Sequence, residues 1–114
     1  MKIKRADDVP VEPVDAEGAE GVQIRWLIHE PDGAPTFYMR QFTVAPGGHT
    51  PRHRHAWEHE VYVLAGRGVV VTPGGEAPIA AGDCVYVAPE DDHQFRNTGG
   101  EELTFLCLIP KPQS

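Results

Sequence analysis

His53-Arg54-His55-Ala56-Trp57-Glu58-His59 is the stretch on which the reading of this chain turns, together with Gly82-Asp83 and His93-Gln94-Phe95-Arg96-Asn97 further along. Four of the six histidines lie in these segments. Imidazole is the commonest metal-ligating side chain, and an i, i+2 pair on a strand points both rings to one face with Cα atoms about 7 Å apart. Such a pair can share one ion. A third ring four residues on and a fourth from a distant segment are what a strand-and-turn scaffold needs to close a mononuclear site. The pattern reads as a metal-binding β-barrel.

Outward from that stretch, the chain has the punctuation of an all-β protein. Its 114 residues suit one domain, and Gly 12 and Pro 11 are spread between short apolar runs with no long amphipathic helix. Strands are expected at Val22–Ile28, Phe37–Val44, His53–His55, Glu60–Leu64, Gly68–Thr72, Ala77–Ala80, Cys84–Val87, Gln94–Asn97 and Leu103–Ile109. Turns are expected at Pro31-Asp32-Gly33, Pro46-Gly47-Gly48, Pro73-Gly74-Gly75 and Thr98-Gly99-Gly100, where Pro pre-sets φ and Gly supplies φ > 0. Residues 1–21 read as an extended arm with room for one edge strand, and about 22–110 as the barrel. Spacing alone fits a barrel or a sandwich. Convergence of four rings on one ion favours a small antiparallel barrel with an open mouth.

The net charge is −7, with acidic residues gathered at Asp7, Asp8, Glu12, Asp15, Glu17 and Glu20 and at Glu90-Asp91-Asp92. That balance excludes nucleic acid and anionic membranes as expected partners, and Arg52, Arg54, Arg67 and Arg96 form no stripe. No run reaches the length of a membrane span and the N-terminus lacks the apolar core of a signal peptide, so a cytoplasmic protein is expected. Cys84 and Cys107 are expected to be free thiols.

His53-x-His55 followed by Val63-Leu64-Ala65-Gly66-x-Gly68 resembles the first motif of the cupin superfamily, and Gly82-Asp83 through His93-x-x-x-Asn97 resembles its second. The resemblance covers residues 47 to 97. It implies a jelly-roll barrel, the double-stranded β-helix, around one divalent transition metal. In the common cupin pattern the third ligand of the first motif is a glutamate. Counting back from Gly66 places that ligand at His59, whereas a gap would restore a glutamate at Glu60. The spacing from His55 to His59 resembles the small bacterial cupins that bind manganese through four histidines, as does Phe105-Leu106-Cys107-Leu108-Ile109-Pro110-Lys111. The implied ligands are therefore His53, His55, His59 and His93, with Glu60 as the alternative, and the implied ion is manganese. Iron, nickel, copper or zinc would also suit imidazole, whose affinity rises from Mn to Cu. Ala88 and Glu90 stand where the second motif usually has Pro and Gly. His29 and His49 are not expected to be ligands.

If His59 faces inward, alternation carries Val61 and Val63 in with it; if Glu60 does, Tyr62 and Leu64 follow. Either face is apolar. On the last strand Phe105, Cys107 and Ile109 share one face, and the resemblance implies that this set lines the pocket with Phe95. Plain core packing serves Phe105 and Ile109 equally well. Cys107 has three readings: metal ligand, oxidisable thiol or small packing residue. Arg40 is either an anion anchor inside the pocket or an edge charge.

Four neutral imidazoles leave the charge of a divalent ion uncompensated, which favours anionic or oxygen-donor small molecules, and an octahedral ion keeps two open positions. The function expected is a dioxygenase-like, metal-dependent oxidoreductase acting on a small organic substrate. The alternatives are a metal-dependent isomerase or lyase of a sugar or keto acid, and a cupin that binds or senses a small molecule without turnover. Leu106 and Leu108 on the second face of the last strand, with Val9 and Val11 in the arm, point to a homodimer, as does the resemblance.

Overall fold

The computed structural model describes residues 1–112. These form the strands β1 (Glu12–Pro13), β2 (Glu20–Ile28), β3 (Phe37–His49), β4 (His59–Ala65), β5 (Arg67–Thr72), β6 (Gly75–Ala80), β7 (Cys84–Val87), β8 (Gln94–Arg96) and β9 (Leu103–Pro110), with one-turn 3-10 helices at Ala6–Asp8 and Glu30–Asp32. The strands join in the order β6-β5-β8-β3-β9-β4-β7, β2 lies along β3, and β1 lies along β2. Neighbouring strands pair antiparallel throughout. This is the all-β barrel of jelly-roll type expected from the sequence. No helix among the described residues is long and apolar enough to cross a membrane.

Alternation places the core. Along β9, Leu103, Phe105, Cys107 and Ile109 are buried while the residues between them are half-buried; along β4, His59, Val61 and Val63 are buried while Glu60, Tyr62 and Leu64 are exposed. Val44, Val63 and Leu103 have no exposed surface and Phe105 retains 2%. Burying each such side chain contributes about 1.5–3 kcal/mol.

Two expectations differ from the structure. Pro46-Gly47-Gly48 does not separate strands: β3 runs through it to His49, and the residues form its corner. Gly47 has φ +80, a conformation that only glycine adopts cheaply. Before the corner β3 pairs with β9 at Val44 and Leu103; after it, His49 pairs with Arg96 of β8. Asn97 fastens the bend, its side-chain amide donating to Val44 O at 2.8 Å and Glu101 O at 2.7 Å while its Oδ1 accepts from Gly99 N at 2.9 Å.

The strand expected at His53–His55 is absent. His53 alone makes a bridge, to His93, through reciprocal backbone bonds of 3.1 and 2.9 Å. Pro51 lacks an N–H for a ladder and the chain bends at Ala56 and Trp57. His55 is instead held by its carbonyl, which accepts from Glu90 N at 2.6 Å. Glu90 itself has φ 69, so it takes the left-handed conformation where the motif usually has Gly.

The N-terminal segment folds along β2. Val14 N donates to Val22 O at 2.9 Å, and Nη1 of Arg25 donates to the carbonyls of Ala6, Asp7 and Val9 at 3.0, 3.1 and 2.7 Å. Val14 and Ala16 thereby reach the barrel cavity.

Candidate metal centre

His59 opens β4, His93 immediately precedes β8, and His53 and His55 come from the irregular segment between β3 and β4. The backbone bridge between His53 and His93 brings the two sequence motifs together. Their rings lie 4.8 Å apart by centroid, with His55 at 4.3 Å from His53. Each of His53, His55 and His93 offers a ligand atom within 4.8 Å of the other two. His59 lies outside that triplet but beside it, its ring 4.9 Å from His93 and 5.3 Å from His55.

Burial, then the neighbouring His55 and His93, push His53 down to about 4; burial, then His93 and Arg40, push His59 down to about 3. His55 is lowered for the same first reason, burial, with His93 and Arg40 adding to it. These three rings are neutral near pH 7, the state in which imidazole ligates a metal. His93 Nδ1 lies 2.9 Å from Asp91 O. A carbonyl only accepts, so the proton sits on Nδ1 and the Nε2 lone pair is free, the usual way a backbone carbonyl sets a ligating tautomer.

The residues fit a divalent ion. Nε2 of His59 is buried with no hydrogen-bond partner, a rare condition that a ligand would relieve. The donors are all nitrogen, suited to a first-row transition metal. Glu60 is exposed on the outer face of β4 and does not line the cavity.

The histidines close one part of a cavity of about 360 Å³ lined also by Trp26, Arg40, Phe42, Phe95, Phe105 and Cys107. Register explains the lining. Trp26 stands opposite Arg40, Arg40 opposite Cys107, and Cys107 opposite Val61, forming one inward row; Ile24, Phe42, Phe105 and Val63 form the next. Arg40 is thus inside, not an edge charge, and its Nη2 donates to Cys107 Sγ at 3.0 Å. That sulfur also lies 3.4 Å from His59 Nδ1, and burial raises its thiol above the ordinary value. Cys84 and Cys107 are both free.

Of the pocket residues expected from the sequence, Arg40, Phe95, Phe105 and Cys107 line the cavity and Ile109 does not. Ile109 is buried in the core cluster with Tyr38, whose strand position it faces. Sequence reasoning missed Trp26, although the alternation of Val22, Ile24 and Trp26 along β2 would have turned it inward. His29 stacks on Trp26 at 5.3 Å and His49 pairs in the ladder; neither lines the cavity.

The cupin domain family model matches residues 40–109. The chain belongs to the cupin family. Its structure superposes on that of the polyketide cyclase RemF from Streptomyces resistomycificus with a TM-score of 0.93, at 37% identity over 98% of this chain and 80% of that one. The polyketide synthase CurC of Streptomyces cyaneus is 30% identical over 98% of this chain and 77% of its own length. A third relative, the 1-methylthio-D-xylulose 5-phosphate methylsulfurylase of Rhodospirillum rubrum, is 38% identical over 66% of this chain and 51% of its own. The chain thus spans about half of that protein's length but most of the two polyketide proteins. Cupins bind metals and serve varied chemistries, so the family alone does not choose a reaction.

Proposed function

We propose that this cupin is a metal-dependent cyclase that closes a ring on a β-polyketone chain by aldol condensation. The observation that carries the reading is the near-full-length similarity to the polyketide cyclase RemF. The cavity supports it, since Trp26, Phe42, Phe95 and Phe105 make apolar walls for a flat conjugated chain while imidazoles and Arg40 meet its oxygens.

In this reading His53, His55, His59 and His93 hold one divalent ion, which supplies Lewis-acid polarisation of a substrate carbonyl. The aromatic walls fold the chain so that an active methylene carbon abuts a carbonyl carbon, which is the proximity term of the catalysis. The methylene proton leaves to water at the cavity mouth, since no carboxylate among the described residues lines the cavity. The methylene carbon then bonds to the carbonyl carbon, whose oxygen takes up that proton to become a hydroxyl; the hydroxyl and the second hydrogen of the same methylene carbon leave together as water, and the ring aromatises. Val14 and Ala16 of the arm help exclude bulk water.

The ion we propose is manganese, on the motif spacing, and the assembly a homodimer, supported by Phe37, Tyr62, Leu64 and Tyr86 exposed on the outer surface. Light scattering tests the assembly. The competing reading is the oxidoreductase, favoured by a donor set of neutral imidazoles that leaves a redox metal electron-poor. One experiment separates the two: metal-loaded protein is given a β-triketone or longer polyketone while dissolved oxygen and product mass are followed. Cyclisation with loss of one water and no oxygen uptake is expected. Oxygen uptake coupled to substrate loss would replace the cyclase with the oxidoreductase.

A further inference from the structure

The guanidinium of Arg40 is held inside the barrel without an anion. Its carbon lies over the rings of Phe42 at 4.9 Å and Trp26 at 5.7 Å. Nη2 is spent on the Cys107 sulfur, a weak acceptor, and Nε is buried with no partner. The ion pairs among the described residues are made by other cations, and none involves Arg40. Burial lowers its pKa, and the Cys107 sulfur opposes that shift. A buried charge is costly unless paired, and contacts with aromatic faces return only about 0.5–2 kcal/mol. The faces of the guanidinium are therefore supported while its hydrogen-bonding edge is underused.

We propose that Arg40 is the anion-recognition residue of the cavity, selecting flat conjugated ligands that carry a negatively charged oxygen, either a carboxylate or an ionised enol. The planar fork matches such an oxygen pair in a bidentate geometry that an ammonium does not reproduce. Trp26, Phe42 and Phe105 wall the space beside that edge, and Arg40 reaches the cluster through the Cys107 sulfur, which lies 3.0 Å from its Nη2 and 3.4 Å from His59 Nδ1. One ligand can therefore span the guanidinium and the imidazole cluster. This deepens the cyclase reading by naming the group on the polyketone that the cavity holds, and its test needs no turnover.

Metal-loaded wild type, Arg40→Met and Arg40→Lys are titrated by calorimetry with naphthoate against naphthamide, and with hydroxynaphthoquinone against its methyl ether. Metal content is measured on each. The first pair probes a carboxylate and the second an ionised enol. Wild type is expected to prefer at least one anion over its neutral isostere, and Arg40→Met to lose about tenfold of that preference at unchanged metal content, as a charge-assisted bidentate pair predicts. Arg40→Lys keeps the charge and should retain part of it, which separates recognition from misfolding. An anion-to-neutral ratio that is the same in Arg40→Met as in wild type, or no preference in wild type, overturns the inference. Preference through Arg40 without cyclisation of any polyketone upholds it and removes the cyclase reading; cyclisation with the preference unchanged in Arg40→Met does the reverse.

Discussion

The two halves of the histidine cluster are built differently. His59 opens β4 and His93 immediately precedes β8; they are 6% and 5% exposed, His59 beside the Cys107 sulfur and His93 beside the Phe95 ring. His53 and His55 ride an irregular segment, half-buried, and are tied to the second motif by the bridge to His93 and the bond from Glu90 N. The first pair continues the alternation of its neighbouring strand, His59 with Val61 and Val63 and His93 with Phe95, so its positions are fixed by folding. The loop-borne pair has only a few backbone bonds and the stacking of His55 on Trp57, 4.4 Å apart with the planes at 10°. A metal would therefore order the loop half and find the strand half already in place. Stability and metal affinity should separate along that line.

The sharpest break compares His93→Ala with His55→Ala. Each should weaken metal binding by more than about 100-fold, beyond the loss typical of removing a ligand's supporting hydrogen bond. Only His93→Ala should also destabilise the metal-free protein, by about 1–3 kcal/mol as a buried truncation, read by urea unfolding. Equal destabilisation by the two would erase the distinction.

Acid acts on both halves. His53 and His59 titrate at about 4 and about 3 in the fold against an ordinary 6.5. Between those values the unfolded chain binds more protons than the folded one, so stability is full above the ordinary value and falls as pH drops through the window. Metal-free protein should show this as a declining melting temperature from about pH 6.5 downward. A melting temperature that is flat to pH 4 would show that these rings are not held neutral.

Trp57→Ala sharpens the contrast from the loop side. Removing the ring beneath His55 should weaken metal binding by roughly tenfold, as loss of a supporting contact does, and leave the unfolding midpoint of the metal-free protein unchanged. The smallest effect is at Glu90, whose left-handed backbone costs a non-glycine residue about 1 kcal/mol. Glu90→Gly should raise stability by less than that, since glycine also gains freedom when unfolded. A clear loss would mean that the Glu90 side chain, near Arg54 at 4.0 Å, contributes more than its backbone strain costs.

The same contrast explains what was legible in the sequence. Cys84–Val87 is where its apolar run puts it, and the strands beginning at Phe37 and Leu103 start where expected, because alternation over a half-buried sheet is a local signal. The strand expected at His53–His55 failed because the i, i+2 pair is positioned by Pro51, the bend at Ala56 and a bond from Glu90, all outside any local period. The corner at Pro46-Gly47-Gly48 has turn chemistry, yet it is spent inside one strand that changes partners from β9 to β8. Among site residues, Arg40 was ambiguous until register set it between Trp26 and Cys107. Trp26 shares the inward alternation of Val22 and Ile24, but that it belongs to the cavity follows only from its pairing with Arg40 across β3.

Elemental analysis of protein purified without nickel tests the central claim most directly, on wild type, His59→Ala and Glu60→Ala. One divalent transition metal per chain is predicted in wild type and Glu60→Ala, with the metal lost from His59→Ala. Metal kept by His59→Ala and lost from Glu60→Ala would contradict the account and return the ligand set to three histidines and a glutamate.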